Sequence, residues 1–357
     1  MSQSPHSPAD KKASPAATSL LASLYTLQGN VTLSAQHDYI SSGTRYREQI
    51  REITGTLPPI FGGDFSFCYQ GEDTEALQHC GPANLTEPGY GVDEWERRPE
   101  KVFEPEGVAE FRDIDLHHER LALVDRCKRL HKEGCMITLM WHGPVPDCGD
   151  LSGDRDLWAH GTFPEERWRE LLTPGTALHQ AWETQVDHIA GYLKMLAEAD
   201  IPVLWRPYHE MNGGWFWWGE HPNGEFGFNR LWDMMYKRYT EFHKLHNLLW
   251  VWNPNAPRDT PGDEAGPYEA YYPGHHQVDI LATDIYHNDY QDSHYDQLVS
   301  LANGRPIALG EVGHVPTPDL LEKQPLWSWV MPWGGLVFRF NSDETLRTLY
   351  THLSPST

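Results

Sequence analysis

The chain has 357 residues, 51 acidic against 28 basic side chains, a net charge of −23 and a pI near 5.2. That balance argues against a protein built to grip nucleic acid or an anionic membrane surface, since both call for a basic face that releases counterions. With 39% hydrophobic residues the chain is not disordered by composition, and no run approaches the roughly 18 apolar residues of a membrane span. The positive clue is aromatic: 15 Trp, 16 Tyr and 12 Phe, rings that either fill a core or form platforms for flat apolar surfaces such as pyranose faces.

Residues 1–17, rich in Ser, Pro and Ala, read as a disordered tail, with no apolar stretch behind a basic start to mark a leader peptide. The compartment stays open between the cell interior and a secreted protein whose leader has been removed. Residues 18–27 read as a short surface helix. Short apolar, β-branched runs then alternate with amphipathic stretches. Residues 31–35 precede a polar stretch through 49; 59–67 a long loop and a helix over 114–132; 135–141 another loop and a helix over 184–198. Residues 203–208 precede a helix over 229–245, and 248–252 a loop with little helical signal. The last three units pair 280–286 with 295–302, 306–309 with 318–329, and 336–340 with 344–352. Eight β-then-α units predict an α/β fold, a single (β/α)8 TIM barrel over 18–357, better than an open doubly wound sheet. The loops 68–107 and 144–176 would lie on the C-terminal face and are long enough to wall a cleft.

Several chemistries are absent from the pattern. No Gly-x-Gly-x-x-Gly follows a strand, no Gly-x-Ser-x-Gly elbow is present, and His209-Glu210 lacks the second His of a zinc motif because position 213 is Gly. No cofactor and no catalytic metal are expected; Asp147, Asp150, Asp154 and Asp156 cluster in sequence but do not follow EF-hand spacing. Five cysteines show no Cys-x-x-Cys spacing; Cys68 and Cys80 share one acidic segment and either bridge in an oxidising compartment or stay free thiols.

The chemistry concentrates in Trp205-Arg206-Pro207-Tyr208-His209-Glu210-Met211-Asn212-Gly213-Gly214-Trp215-Phe216-Trp217-Trp218. Strand periodicity ends at Tyr208, so His209 and Glu210 fall where the fourth strand opens onto the barrel mouth. A carboxyl crowded by indoles there loses hydration and has its pKa raised, as a general acid requires. Glu311, between Gly310 and Gly313 at the end of the seventh apolar run, is the second carboxylate; taken alone it reads equally as a strand-end Glu paired with an Arg. Two carboxylates facing across an aromatic cleft point to glycosidic bond cleavage. Trp252 and Asn253, at the end of the fifth strand, also face the mouth in this reading, whereas Trp95, Trp158, Trp168 and Trp333 read singly as core.

The Arg206-Pro207-Tyr208-His209-Glu210-Met211-Asn212-Gly213 block with Trp215 resembles the acid/base signature of glycoside hydrolase family 26, a β-mannanase family of clan-A barrels. Trp141-His142, Tyr271-Tyr272-Pro273-Gly274, Asp284-Ile285-Tyr286 and Gly310-Glu311 follow in the order of that family, so the resemblance spans about residues 20–353. It implies a retaining double displacement with Glu210 as acid/base and Glu311 as nucleophile, His209 beside the acid, Tyr286 on the nucleophile, and Trp215 and His142 lining subsites. Asp284 and Asp64 match family positions, the latter with either a sugar or a loop as its partner. At the expected eighth strand the chain reads Val337-Phe338-Arg339-Phe340, which departs from the family's Trp; Phe338 would be a smaller platform and Arg339 a sugar or acid partner. The implied activity is endo-β-1,4-mannanase on β-mannan or manno-oligosaccharides, with exo-acting mannobiose release, β-1,3-xylanase and mixed-linkage β-glucanase as alternatives within the family. A non-catalytic carbohydrate-binding barrel is the alternative of a different class. No nucleic acid, membrane or protein partner is implied.

Overall fold

Every strand of the sheet is buried along most or all of its length, and most are apolar runs, as in β5, Leu248-Leu249-Trp250-Val251-Trp252, because a parallel strand packs on both faces. The computed structural model describes residues 6–40, 42–66, 116–146 and 163–353. In chain order these form α1 (Pro15–Leu27), β1 (Leu33–Asp38), α2 (Arg45–Thr54), β2 (Ile60–Asp64), α3 (Leu116–Lys132), β3 (Met136–Trp141), α4 (Glu165–Leu171) and α5 (Ala177–Ala197). There follow β4 (Val203–Pro207), α6 (Phe228–Lys237), β5, β6 (Ile280–Ile285), α7 (Asp292–Ala302), β7 (Ile307–Val312), α8 (Pro318–Lys323), β8 (Trp327–Pro332), α9 (Leu336–Phe340) and α10 (Asp343–Leu353). The strands close in sequence order, β1 pairing with both β2 and β8, all parallel. This is the expected (β/α)8 barrel.

The N-terminal end of the barrel is closed by the start of the chain. Ala17, Leu20, Leu21 and Leu24 of α1 pack on Ala35, Ile60, Leu204, Leu249, Ile280 and Ala308, each leucine contributing about 1.5–3 kcal/mol of burial. The described part of the expected disordered tail, residues 6–17, is instead folded. Ala9 N donates to Asp279 Oδ1 at 2.6 Å, Asp10 Oδ2 meets His246 Nδ1 at 2.7 Å, and Ser14 caps α1. Ser, Pro and Ala, which read as disorder, are here a capping residue, a first-turn Pro and small packing groups.

The eighth strand lies nine residues earlier than expected. Residues 318–329 read as a helix and 336–340 as the strand; the structure has β8 at Trp327–Pro332 and a helix at Leu336–Phe340. Trp329 and Met331 turn into the barrel while Trp327 and Val330 pack in the outer core, and a register shift against β7 between Trp327 and Val330 breaks the period of two that would have marked the strand. The shift carries Trp333 to the mouth and takes Phe338 and Arg339 off any strand. The possible Cys68–Cys80 bridge, the acidic group from Asp147 to Asp156, Trp95 and Trp158 lie outside the described residues; Cys127 and Cys135 are buried free thiols.

Candidate active site

The β4 end is shaped by its backbone. After Pro207 the chain leaves the sheet with Tyr208 at φ 49° and Glu210 at φ 53°, left-handed conformations that cost a non-glycine residue about 1–3 kcal/mol each. They persist because the surroundings over-determine them: Glu210 N donates to Asn253 O at 2.7 Å, Gly213 N to Glu210 O at 3.1 Å, and Trp218 Nε1 to His209 O at 2.8 Å. Trp217 Nε1 reaches Gly143 O at 2.8 Å, tying the segment to the loop after β3. The indoles following Glu210 are therefore its scaffold as well as its apolar surroundings. Gly213 is required here, because a Cβ would run into the ring of Trp215.

The Glu210 carboxyl is buried. Oε2 accepts from Trp215 Nε1 at 2.7 Å and Oε1 from Asn255 Nδ2 at 2.8 Å. Burial, then the charge of Glu311, push it to about 8, against the smaller opposing effects of Asn255, Arg258 and Trp215. Glu311 is held differently. Its Oε1 accepts from Arg206 Nη1 at 2.7 Å and its Oε2 from Tyr286 OH at 2.8 Å, while His209 Nε2 lies 3.7 Å from Oε1. A guanidinium and a phenol thus donate to Glu311, where Glu210 has an indole and an amide. The Arg pairing that one reading of Glu311 expects is present, with Arg206 as the partner.

A break in the β6–β7 register aims Glu311. Thr283 pairs with Leu309 but Asp284 with Glu311, leaving Gly310 as the extra residue. Only glycine fits, since a Cβ there would collide with the Asn253 carboxamide. Asp284, fully buried, lies 3.8 Å from Arg206 Nη1; burial and the Glu311 charge hold its carboxyl well above the usual range. It sits beneath the mouth as an electrostatic neighbour of Glu311. His209, Asp284 and Glu311 each bring one potential ligand atom within 4.8 Å of the others. Arg206 already supplies positive charge to both of those carboxylates.

The opposite wall comes from β1, β2, β3 and β8. Asp64, also fully buried, accepts from Ser66 N at 2.6 Å and binds His142 Nδ1 at 2.6 Å, so it orients His142 and its own loop. The His142 ring meets His209 at 4.6 Å and Phe216 at 5.4 Å. Trp333, expected as core, follows β8 into this wall, stacking on His37 at 3.9 Å and lying 5.8 Å from His142. Burial, with Arg206 and His142, drives the His37 imidazole well below its usual pKa despite Asp64.

The expected residues therefore divide. Glu210, Glu311, His209, Tyr286, Trp215, Asp284 and, through the His209 contact, His142 with Asp64 form one connected cluster. Trp252 does not join it. Its indole is fully buried, donates to Tyr271 O at 3.2 Å and packs edge-on to Tyr268 and Tyr272, on the outer side of the sheet. Asn253, one residue on, is the inward neighbour, with its carbonyl on Glu210 N. Phe338 and Arg339 lie half-buried on α9, Phe338 against Tyr46 at 6.1 Å. Arg206, Asn255, Arg258, His37 and Trp333 were missed as site residues. Arg206 stood inside the quoted block, at alternating spacing from Tyr208, and that was its available signal.

A parallel barrel carrying two buried glutamates at the ends of β4 and β7, each with its own hydrogen-bond donors, has the architecture of a carbohydrate-cleaving barrel. The sequence matches the Glycosyl hydrolase family 26 profile over residues 119–353, and the chain belongs to that family. A family 26 structure from a Muricauda species is 38% identical, covers 96% of each chain and superposes with a TM-score of 0.78. A Podospora anserina β-(1,4)-mannanase structure is 26% identical, with a TM-score of 0.68, covering 98% of this chain and 68% of that one. Among curated relatives, a mannan endo-1,4-β-mannosidase of Thermothelomyces thermophilus is 34% identical over 231 residues, 62% of this chain and 45% of the relative. One of Bacillus subtilis is 35% identical over 213 residues, 50% and 56% respectively. The first curated relatives are thus matched over less than half their own length.

Proposed function

We propose that the chain is a retaining endo-β-1,4-mannanase. The observation that carries the chemistry is the different setting of the two glutamates: burial raises the pKa of Glu210, which an indole and an amide hold, while Arg206 and Tyr286 each donate to Glu311. Carboxyls with such different partners can divide acid and nucleophile between them. Glu210 protonates the leaving oxygen as Glu311 attacks the anomeric carbon, forming a glycosyl ester; Glu210, now ionised, removes a proton from the water that releases the sugar. His142 serves as a contact beside the scissile bond, and Trp215, packed between Gly213 and Arg258, serves as a donor to the acid carboxyl in place of the expected open platform. The substrate reading is supported by the names of the curated relatives, mannan endo-1,4-β-mannosidases.

Product analysis on β-1,4-mannan, galactomannan, mannohexaose, β-1,3-xylan and mixed-linkage glucan tests this. Random cleavage of mannan to several sizes is expected, with the β-anomer of the new reducing end appearing first by NMR. Mannobiose alone would replace the endo reading by an exo one. Activity confined to xylan or glucan would overturn the substrate, and a first-formed α-anomer the retaining mechanism.

A further inference from the structure

The loop after β5 carries an arginine that touches both groups donating to Glu210. Arg258 Nη1 donates to Asn255 Oδ1 at 2.7 Å. Because a guanidinium only donates, the Asn255 carboxamide must turn its oxygen to Arg258 and its NH2 to Glu210 Oε1, which it meets at 2.8 Å. The same guanidinium lies over the Trp215 ring, 5.3 Å from its centroid, and Trp215 Nε1 donates to Glu210 Oε2. Arg258 is itself fixed: Nε donates to Asp263 O at 2.8 Å and Nη2 to Asp263 Oδ1 at 2.5 Å, and its backbone pairs with Ala265 in both directions. Asp263 is buried, with His287 Nε2 at 3.5 Å from its other oxygen. Asn212, from the acid-bearing segment, clamps the loop's two ends by accepting from Asn255 N and donating to Asn255 O and Gly266 O, each at 2.8 Å.

We infer that Arg258 is a positioning residue for the acid/base carboxyl, acting through Asn255 and Trp215 to fix where the Glu210 proton sits and adding a positive charge that moderates its affinity for that proton. The inference rests on the reading of Glu210 as acid/base. Loss of Arg258 frees the Asn255 amide to turn and removes the support from one indole face, so Glu210 keeps its backbone placement but loses its orientation. The charged and titratable groups around Glu210 are Glu311 from β7, Asp284 and Tyr286 from β6, Arg206 and His209 from its own strand end, and Arg258. Arg258 is the one that reaches Glu210 from the loop after β5.

The test compares Arg258→Gln, Arg258→Lys and Asp263→Asn on mannotetraose, whose leaving group needs a proton, and on 2,4-dinitrophenyl β-mannobioside, whose leaving group does not. For Arg258→Gln, kcat/KM on mannotetraose falls about 10²-fold while that on the dinitrophenyl substrate stays within about threefold. On the latter substrate kcat and KM fall together, because the base step slows and the glycosyl ester accumulates. The alkaline limb of kcat/KM moves to higher pH, since removing a cation lets Glu210 hold its proton longer. Arg258→Lys retains the charge without the planar fork and so restores the limb but not the mannotetraose rate. Asp263→Asn gives the Arg258→Gln pattern more weakly. Retained dinitrophenyl turnover shows in the same assay that the variant is folded. Equal losses on both substrates with an unmoved limb in Arg258→Gln and Asp263→Asn would overturn the inference, as would no loss on either. Glu210→Ala run alongside separates the two levels: if it too fails to distinguish the leaving groups, the acid/base assignment falls and the role of Arg258 falls with it.

Discussion

The two walls of the mouth use the same residue to opposite ends. At the β4 wall, Glu210 sits among Trp215, Trp217 and Trp218 with neutral donors on its oxygens, and burial dominates. At the β7 wall, Glu311 has a guanidinium and a phenol donating to it. The contrast shows that the division of labour between two glutamates is written in their partners. Tyr286 follows the adjacent strand β6, whereas Arg206 reaches across the barrel from β4, so closure of the barrel and a one-residue bulge decide which donors Glu311 meets.

Variants that strip one wall sharpen the contrast. The largest effect belongs to Glu311→Ala, which removes the covalent step: turnover of any mannoside falls by at least about 10⁴-fold. Azide with an activated aryl mannobioside restores it and yields the α-glycosyl azide. Absence of rescue would assign Glu311 a base or structural role. Glu210→Ala comes next, with a loss of about 10²–10⁴-fold on unactivated substrate, and oligosaccharide binding retained in calorimetry. In the parent enzyme the raised carboxyl predicts kcat/KM lost as pH rises through the Glu210 pKa, because activity needs the protonated form. An alkaline limb that persists unchanged in Glu210→Gln would place it on another group.

Smaller effects test the supports. Tyr286→Phe deletes one hydrogen bond to a charged acceptor, worth about 1.5–3 kcal/mol. The expected result is a fall in kcat of about 10–100-fold, with KM little changed; a loss confined to KM would make Tyr286 a substrate contact. Asp64→Asn loosens His142 without touching either glutamate. Its expected cost is a rise in KM of a few fold, read from initial rates on mannotetraose, whereas a fall in kcat as large as that of Tyr286→Phe would put His142 in the chemical step.

Local pattern determined much of this protein. Apolar runs alternating with amphipathic stretches specified a parallel barrel, because strands buried on both faces have no polar alternation to disguise them. The segment around Glu210 and the Gly310-Glu311 pair were legible because strand ends carrying chemistry break the pattern of the strand itself. Period and proximity were decided only in three dimensions. The eighth strand was misplaced because a run of large aromatics satisfies helix and strand alike until a neighbouring strand pairs with it. Trp252 and Trp333 exchanged expected roles for the same reason: which face of a strand turns inward depends on register, and one residue reverses it. The pairing of Arg206 with Glu311 spans 105 residues and that of Asn255 with Glu210 spans 45. No local periodicity encodes contacts that exist only once the barrel closes.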